Sequence, residues 1–281
     1  MDLSICSYSF HRLLATGKQD IFQYIIDCKR LGCTYLDPWN AHLPLLKEGD
    51  AKAGIDPNFT DLTDGEEEYL DEVKAAADEL HMPFGCIAVD GAHIYEADPA
   101  AREANRIRAN RWVSAAALLG ARQVRIDSGG TPEMPDDEFR IIVSGYEELL
   151  QWAENQGIEV LIENHWGPSP IPENLIKILE AVDGLGLLFD TNNWAPGMQH
   201  KGWEMCAPYA RLTHIKTFEF DESGNEPSVD IPRAMRHLID AGYTGAWGIE
   251  SCPRDGDEME GARKTVALIK RVLSEQDGGR A

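Results

Sequence analysis

Two hydrophobic periodicities alternate along the chain. Short runs that are apolar on both faces predict strands at Leu3–Ser7, Thr34–Asp37, Pro83–Val89, Gln123–Asp127, Glu159–Glu163, Leu187–Asp190, Leu212–Lys216 and Ala246–Glu250. Between them, apolar positions recur every three to four residues. This spacing predicts helices over Gln19–Leu31, Glu66–Leu80, Ala100–Leu119, Asp136–Asn155, Pro172–Val182, Trp203–Tyr209, Ile231–Ala241 and Glu258–Leu273. Gly32, Gly120, Gly157, Gly184 and Gly242 stand where five of these helices stop, as C-terminal glycines do.

Eight strand–helix units in 281 residues average about 35 residues each, the size of one unit of a (β/α)8 TIM barrel. Strands apolar on both faces and separated by helices belong to a buried parallel sheet. An open doubly wound sheet is disfavoured, because no GxGxxG follows the first strand. No linker with a shifted composition interrupts the pattern. Residues 1–275 therefore read as one α/β barrel domain, and residues 276–281 as an end that frays. The polar stretch from about Trp39 to Gly65 exceeds a typical strand–helix connection and is a candidate lid over the barrel mouth.

Charge narrows the partners. The chain carries 26 Lys+Arg against 48 Asp+Glu, a net −22 with His neutral. Nucleic acid needs a basic face, so it is not an expected partner. No run approaches the length of apolar residues that crosses a bilayer, and the first ten residues lack the basic and apolar regions of a secretory signal. Cys6, Cys28, Cys33, Cys86, Cys206 and Cys252 form no CxxC pair, which predicts free thiols in a reducing cytoplasm.

Four strands end alike. VLIE closes on Glu163, LLFD on Asp190, RLTHIK carries His214, and WGIE closes on Glu250. The separations are 27, 24 and 36 residues, about one unit each, so the four groups come from four consecutive strands. In a barrel those ends face one mouth. Three carboxylates converging there would repel one another, and a divalent cation removes that cost. Two Glu, one Asp and one His suit Mn²⁺, Mg²⁺, Co²⁺ or Zn²⁺. No thiolate belongs to the set, unlike a closed structural zinc site.

The runs IENHWG (162–167), FDTNNW (189–194), THIKTF (213–218) and GIE (248–250) resemble those of the xylose-isomerase-like TIM barrels, more narrowly the sugar phosphate isomerase/epimerase group. The order of units fits over nearly the whole chain. The resemblance implies that Glu163, Asp190, His214 and Glu250 bind one divalent metal and that Glu163 and Glu250 move the proton of the reacting carbon. It implies a small sugar or keto-sugar substrate, an enediolate intermediate and a possible homo-oligomer. The family's ketose 3-epimerases carry a His three residues after the metal-binding Asp and an Arg six after the metal-binding His. Here those positions are Asn193 and Phe220. The HIK pair, His214 and Lys216, looks more like the inosose dehydratase branch, so a lyase acting on a keto-cyclitol or a 3-keto-glycoside is the alternative. In that reading Lys216 stabilises an oxyanion or acts as an acid.

Further candidates surround the set. His165, just past Glu163, is placed to reach substrate or act as a base. Arg125, on the fourth strand, is a candidate for binding a hydroxyl or phosphate, with a salt bridge to Asp127 or Glu163 as the competing fate. Trp39, Trp166, Trp194 and Phe10 are candidates to wall the cup against a sugar face. Tyr8, His11, His42 and His93 follow the early strands. A DNA-repair endonuclease on this barrel needs more His and Asp ligands and a basic surface, and the charge of −22 opposes it.

Overall fold

The computed structural model describes residues 1–44 and 61–278. Seven strands form one parallel sheet: β1 (Leu3–Ile5), β2 (Cys86–Val89), β3 (Gln123–Ile126), β4 (Glu159–Glu163), β5 (Gly186–Asp190), β6 (Ala210–Thr217) and β7 (Trp247–Ser251). Their order around the sheet is β1-β7-β6-β5-β4-β3-β2. The eighth position, expected as a strand at Thr34–Asp37, is an extended segment held by isolated parallel bridges: Cys6 to Asp37 on one side, Leu36 to Phe84 and Trp39 to Ala88 on the other. Pro38 explains the interruption, since it has no N–H to give to a ladder. Ser7 N donates to Asp37 O, and Ala88 N to Pro38 O, so this segment still closes the ring as a TIM barrel.

The outer layer holds α1 (His11–Ala15), α2 (Ile21–Leu31), α3 (Asp64–Glu79), α4 (Pro99–Leu119), α5 (Asp136–Glu154), α6 (Pro172–Ala181), α7 (Gln199–Cys206), α8 (Ile231–Asp240) and α9 (Glu258–Gly278). Local chemistry sets their starts. Thr63 and Glu66 form a reciprocal capping box at α3, and Asp20, Asp98 and Asp230 cap α2, α4 and α8. Helix α7 begins four residues before the expected Trp203 and gives way to a 3-10 turn at Ala207–Tyr209. Helix α9 outruns the expected Leu273. Of the expected lid, from about Trp39 to Gly65, residues 45–60 lie outside the described residues; the remainder includes a 3-10 turn at Asn40–His42 and the start of α3.

Strand periodicity positions the site. Cys86, Leu161, Leu188 and Leu212 form a small cluster separate from the main core, with Ala246 against it. Their strand neighbours, such as Val160, Ile162, Leu187 and Phe189, join the large core beneath the helices. Side chains two residues apart share a face. Glu163, Asp190 and His214 therefore point the same way as Leu161, Leu188 and Leu212, one layer nearer the carboxyl ends. The polar groups stand on an apolar floor inside the barrel. Gly248 allows β7 to approach β6 closely, because a Cβ there would lie 2.1 Å from Thr213 O.

His42 is buried between Ser7 Oγ (2.9 Å from Nδ1) and Gln19 Oε1 (3.4 Å from Nε2). Burial pushes its imidazole down to about 4, against a smaller opposing pull from Asp20. The folded pKa lies below the ordinary 6.5, so the unfolded chain binds the proton first. The resulting stabilisation is complete above 6.5 and disappears as pH falls toward 4, a loss on the order of 3 kcal/mol. In EDTA buffer, the urea midpoint should fall more steeply over that window in wild type than in His42→Gln; equal slopes would refute this.

Candidate metal and active site

Each of the four strand-end groups, Glu163, Asp190, His214 and Glu250, is buried. They offer one ligand atom apiece, and these four atoms all lie within 4.8 Å of one another. The register explains the convergence. Asp190 pairs directly with His214 across β5 and β6, and Lys216 with Glu250 across β6 and β7. His214 Nδ1 is 2.9 Å from Glu250 Oε2 and 3.3 Å from Glu163 Oε1. Neighbouring oxygens and nitrogens around an octahedral ion with bonds near 2.1 Å stand about 3 Å apart, so this spacing fits coordination. Asp190 Oδ2 and His214 Nδ1 are buried without a well-aligned hydrogen bond, as expected of lone pairs kept for an ion, while Glu163 Oε2 faces Arg125 Nε at 3.1 Å. Three oxygens and one nitrogen suit a divalent cation of the Mn²⁺, Mg²⁺, Co²⁺ or Zn²⁺ type.

Without an ion, protein cations balance the carboxylates. Burial works against ionised Glu163, but His165, Arg125 and His214 bring it down to about 2. Glu250 is likewise opposed by burial, yet Lys216 and His214 hold it well below the usual carboxylate range. Burial pushes Asp190 up to about 6; Lys216 opposes this rise, while Glu250 and Glu163 add to it. Burial disfavours charge on His214, and the neighbouring Cys6 and Glu163 outweigh it, leaving the imidazole well above its ordinary range.

The remaining expected residues fall into two groups. Lys216 and Asn193 touch the set itself. Lys216 Nζ is 2.6 Å from Glu250 Oε1 and 3.6 Å from Asp190 Oδ2. Asn193 donates its backbone N–H to Asp190 Oδ1 (2.9 Å) and its side-chain amide to Glu163 Oε1 (3.4 Å). Arg125, His165 and Trp39 gather on the β3–β4 side. Arg125, a candidate for a substrate hydroxyl or phosphate, takes the competing fate of ion pairing: its guanidinium is buried among Asp90 (2.9 Å), Asp127 (2.8 Å) and Glu163 (3.1 Å). His165 Nδ1 is 3.3 Å from Asp127 Oδ2, with its ring against Trp166. Trp39 Nε1 donates to Asp90 Oδ2 at 2.8 Å, and its ring meets Tyr8 edge-on. Trp166 is 51% exposed beside the His165 ring, whereas Trp194 and Phe10 are buried.

Three neighbours went unnoticed in the sequence. Asp37 is fully buried with Oδ2 3.8 Å from His214 Nε2. It closes TYLD as Asp190 closes LLFD, so the same signal was present. Asn164 holds Asp190 from both sides, accepting from its N–H and donating to its carbonyl. Cys6 brings a thiol within 4.8 Å of ligand atoms on His214 and Glu250, which corrects the expectation of a site without sulfur nearby. Burial pushes that thiol up to about 11, so it is not a ready thiolate.

The barrel agrees with one comparison. The family model described as xylose isomerase-like TIM barrel matches residues 25–272. The chain belongs to this family. Among solved structures, the xylose isomerase-like barrel of this chain is similar to the IOLI protein with a bound zinc atom, with a TM-score of 0.73 and 15% identity over 98% of this chain and 99% of that one. It is also similar to the apo form of 3-keto-D-glucoside 4-epimerase, YcjR, from E. coli, with a TM-score of 0.68 and 16% identity over 90% of this chain and 95% of that one. At such identities the likeness is one of fold. A 79-residue stretch is 30% identical to the C-glycoside deglycosidase alpha subunit of Arthrobacter globiformis, covering 26% of this chain and 22% of that protein. Among the described residues no helix is long and apolar enough to cross a membrane.

Proposed function

We propose that this protein is a divalent-metal-dependent isomerase or epimerase of a small sugar or keto-sugar. The observation that carries the reading is the meeting of Glu163, Asp190, His214 and Glu250 within 4.8 Å at the carboxyl ends of four strands. These four residues would hold Mn²⁺, Zn²⁺, Mg²⁺ or Co²⁺. A bound cation supplies Lewis-acid polarisation of a substrate carbonyl and stabilises the enediolate that forms when the neighbouring C–H is lost. Glu163 and Glu250 are ionised at neutral pH, the form needed to accept that proton. They approach the cup from β4 and β7, on either side of β5 and β6, so each can serve one face of the reacting carbon. Asn193 orients Glu163 and Asp190 through its two N–H contacts. Trp166 and Trp39 offer ring faces for a sugar at the rim. Support for a keto-sugar comes from two relatives, whose names concern a 3-keto-glucoside and a C-glycoside. Six free cysteines support a cytoplasmic setting.

One observation favours a second reading. Lys216 Nζ sits 2.6 Å from Glu250 Oε1, which pairs an acid with a base. That pair could protonate the departing hydroxyl in a dehydration of a keto-cyclitol, or the departing aglycone oxygen in an elimination from a 3-keto-glycoside. Incubation with keto-sugars and inososes in deuterated water distinguishes the two. Deuterium at the carbon next to the carbonyl, with no unsaturated product, is expected. Release of an enone would give the site to a lyase. Absence of both across the panel would contradict either reading.

A further inference from the structure

A second set of ligand-type groups adjoins the first. Asp90, Asp127 and His165 also bring one ligand atom each within 4.8 Å of one another. Asp127 is 1% exposed, and its Oδ1 has no hydrogen-bond partner. Glu163 stands between the sets. Its Oε1 is 3.3 Å from His214 Nδ1, while its Oε2 is 3.9 Å from His165 Nδ1. Carboxylates and an imidazole so arranged, with one carboxylate shared, are what a pair of neighbouring divalent ions would require.

A side chain already fills that second position. Arg125 Nη1 lies 2.9 Å from Asp90 Oδ1 and 2.8 Å from Asp127 Oδ2, and Arg125 Nε lies 3.1 Å from Glu163 Oε2. Nη1 also donates to Val89 O at 2.9 Å, which fixes the guanidinium against β2. An ion bound by the same oxygens at about 2.1 Å would have to occupy the space of Nη1. A guanidinium keeps its charge at every physiological pH and cannot dissociate.

We infer that Arg125 is a built-in cation standing in for a second metal ion, and that it fixes this barrel at one exchangeable ion. The inference rests on the reading of Glu163, Asp190, His214 and Glu250 as the first ion's ligands. Arg125 acts as a positioning residue. It anchors Glu163 through Oε2 and leaves Oε1 facing His214. It also denies the site a water shared by two ions, the nucleophile of two-metal hydrolysis. The two-metal route to hydrolysis is thereby closed to this site, in keeping with proton transfer beside a sugar carbonyl.

The test counts Mn²⁺ bound at equilibrium and records its electron paramagnetic resonance spectrum. Wild type should take up one ion and no more at millimolar Mn²⁺. Arg125→Met, which keeps the length and removes the charge, should take up one ion beyond the wild-type count. The two ions should show an exchange-coupled spectrum, because Glu163 is shared. Arg125→Lys should keep the wild-type count, since an ammonium still lies among the carboxylates. Adding Asp127→Asn to Arg125→Met should abolish the extra ion. A second ion in wild type, or a folded Met variant with no extra ion, overturns the inference. If Arg125→Met does not fold, Arg125→Gln is read in the same way. A wild type that binds no ion, with a Met variant that gains one, defeats the metal reading of the first set and still supports the role of Arg125.

Discussion

Glu163→Gln should lower kcat on the sugar substrate by on the order of a thousandfold while the barrel stays folded. The carboxylate is 1% exposed, so its loss acts at the reacting carbon and not on the surface. The amide keeps the shape but cannot accept a C–H proton. Arg125 retains Asp90 and Asp127 as partners, which limits the structural damage. Glu250→Gln should be as severe, and it also strips Lys216 of its closest partner. The two variants differ in what survives. With one base on each face, each variant should still exchange the proton that the other base serves, yet neither should complete an epimerisation. Near-normal turnover by either variant on the true substrate would remove that glutamate from the mechanism.

Metal affinity should depend steeply on pH, because the cation displaces protons that the ion-free cup holds. Burial keeps Asp190 protonated below about 6, despite the opposing Lys216. Burial disfavours charged His214, but Cys6 and Glu163 keep it protonated well above its ordinary 6.5. Both groups must lose a proton to act as ligands. The apparent Kd for Mn²⁺ should thus tighten about a hundredfold per pH unit below that Asp190 value and about tenfold per unit above it. Asp190→Asn should weaken binding and remove the steeper acid limb. Calorimetric titration across this range measures both slopes. An affinity that does not change with pH would show that neither group is a ligand.

The quartet was legible because each member lies at or near the carboxyl end of an apolar strand, and a parallel barrel sends all such ends to one mouth. Strand-end position is a local signal, and it survives without any knowledge of register. Two partners of Arg125, Asp127 and Glu163, were legible only as alternatives, and the third, Asp90, was not legible at all. Which carboxylate meets a guanidinium depends on how β2, β3 and β4 align, and no short window of sequence contains that alignment. Asp37 carried the same signature as Asp190 but sits before Pro38, in a stretch too short and too interrupted to pair as a full strand. Cys6 was hidden for a different reason. It follows the first strand directly, 244 residues before Glu250 in sequence, and comes near only because the barrel closes on itself. The fold was easier, since eight repeats of one pattern tolerate an irregular member.

The central claim is that four side chains share one ion. Crystals soaked in Mn²⁺ and measured for anomalous scattering test it most directly. A single strong peak is expected at about 2.1–2.3 Å from oxygens of Glu163, Asp190 and Glu250 and from Nδ1 of His214. A map with no peak there, or with its peak among Asp90, Asp127 and His165 instead, would contradict it.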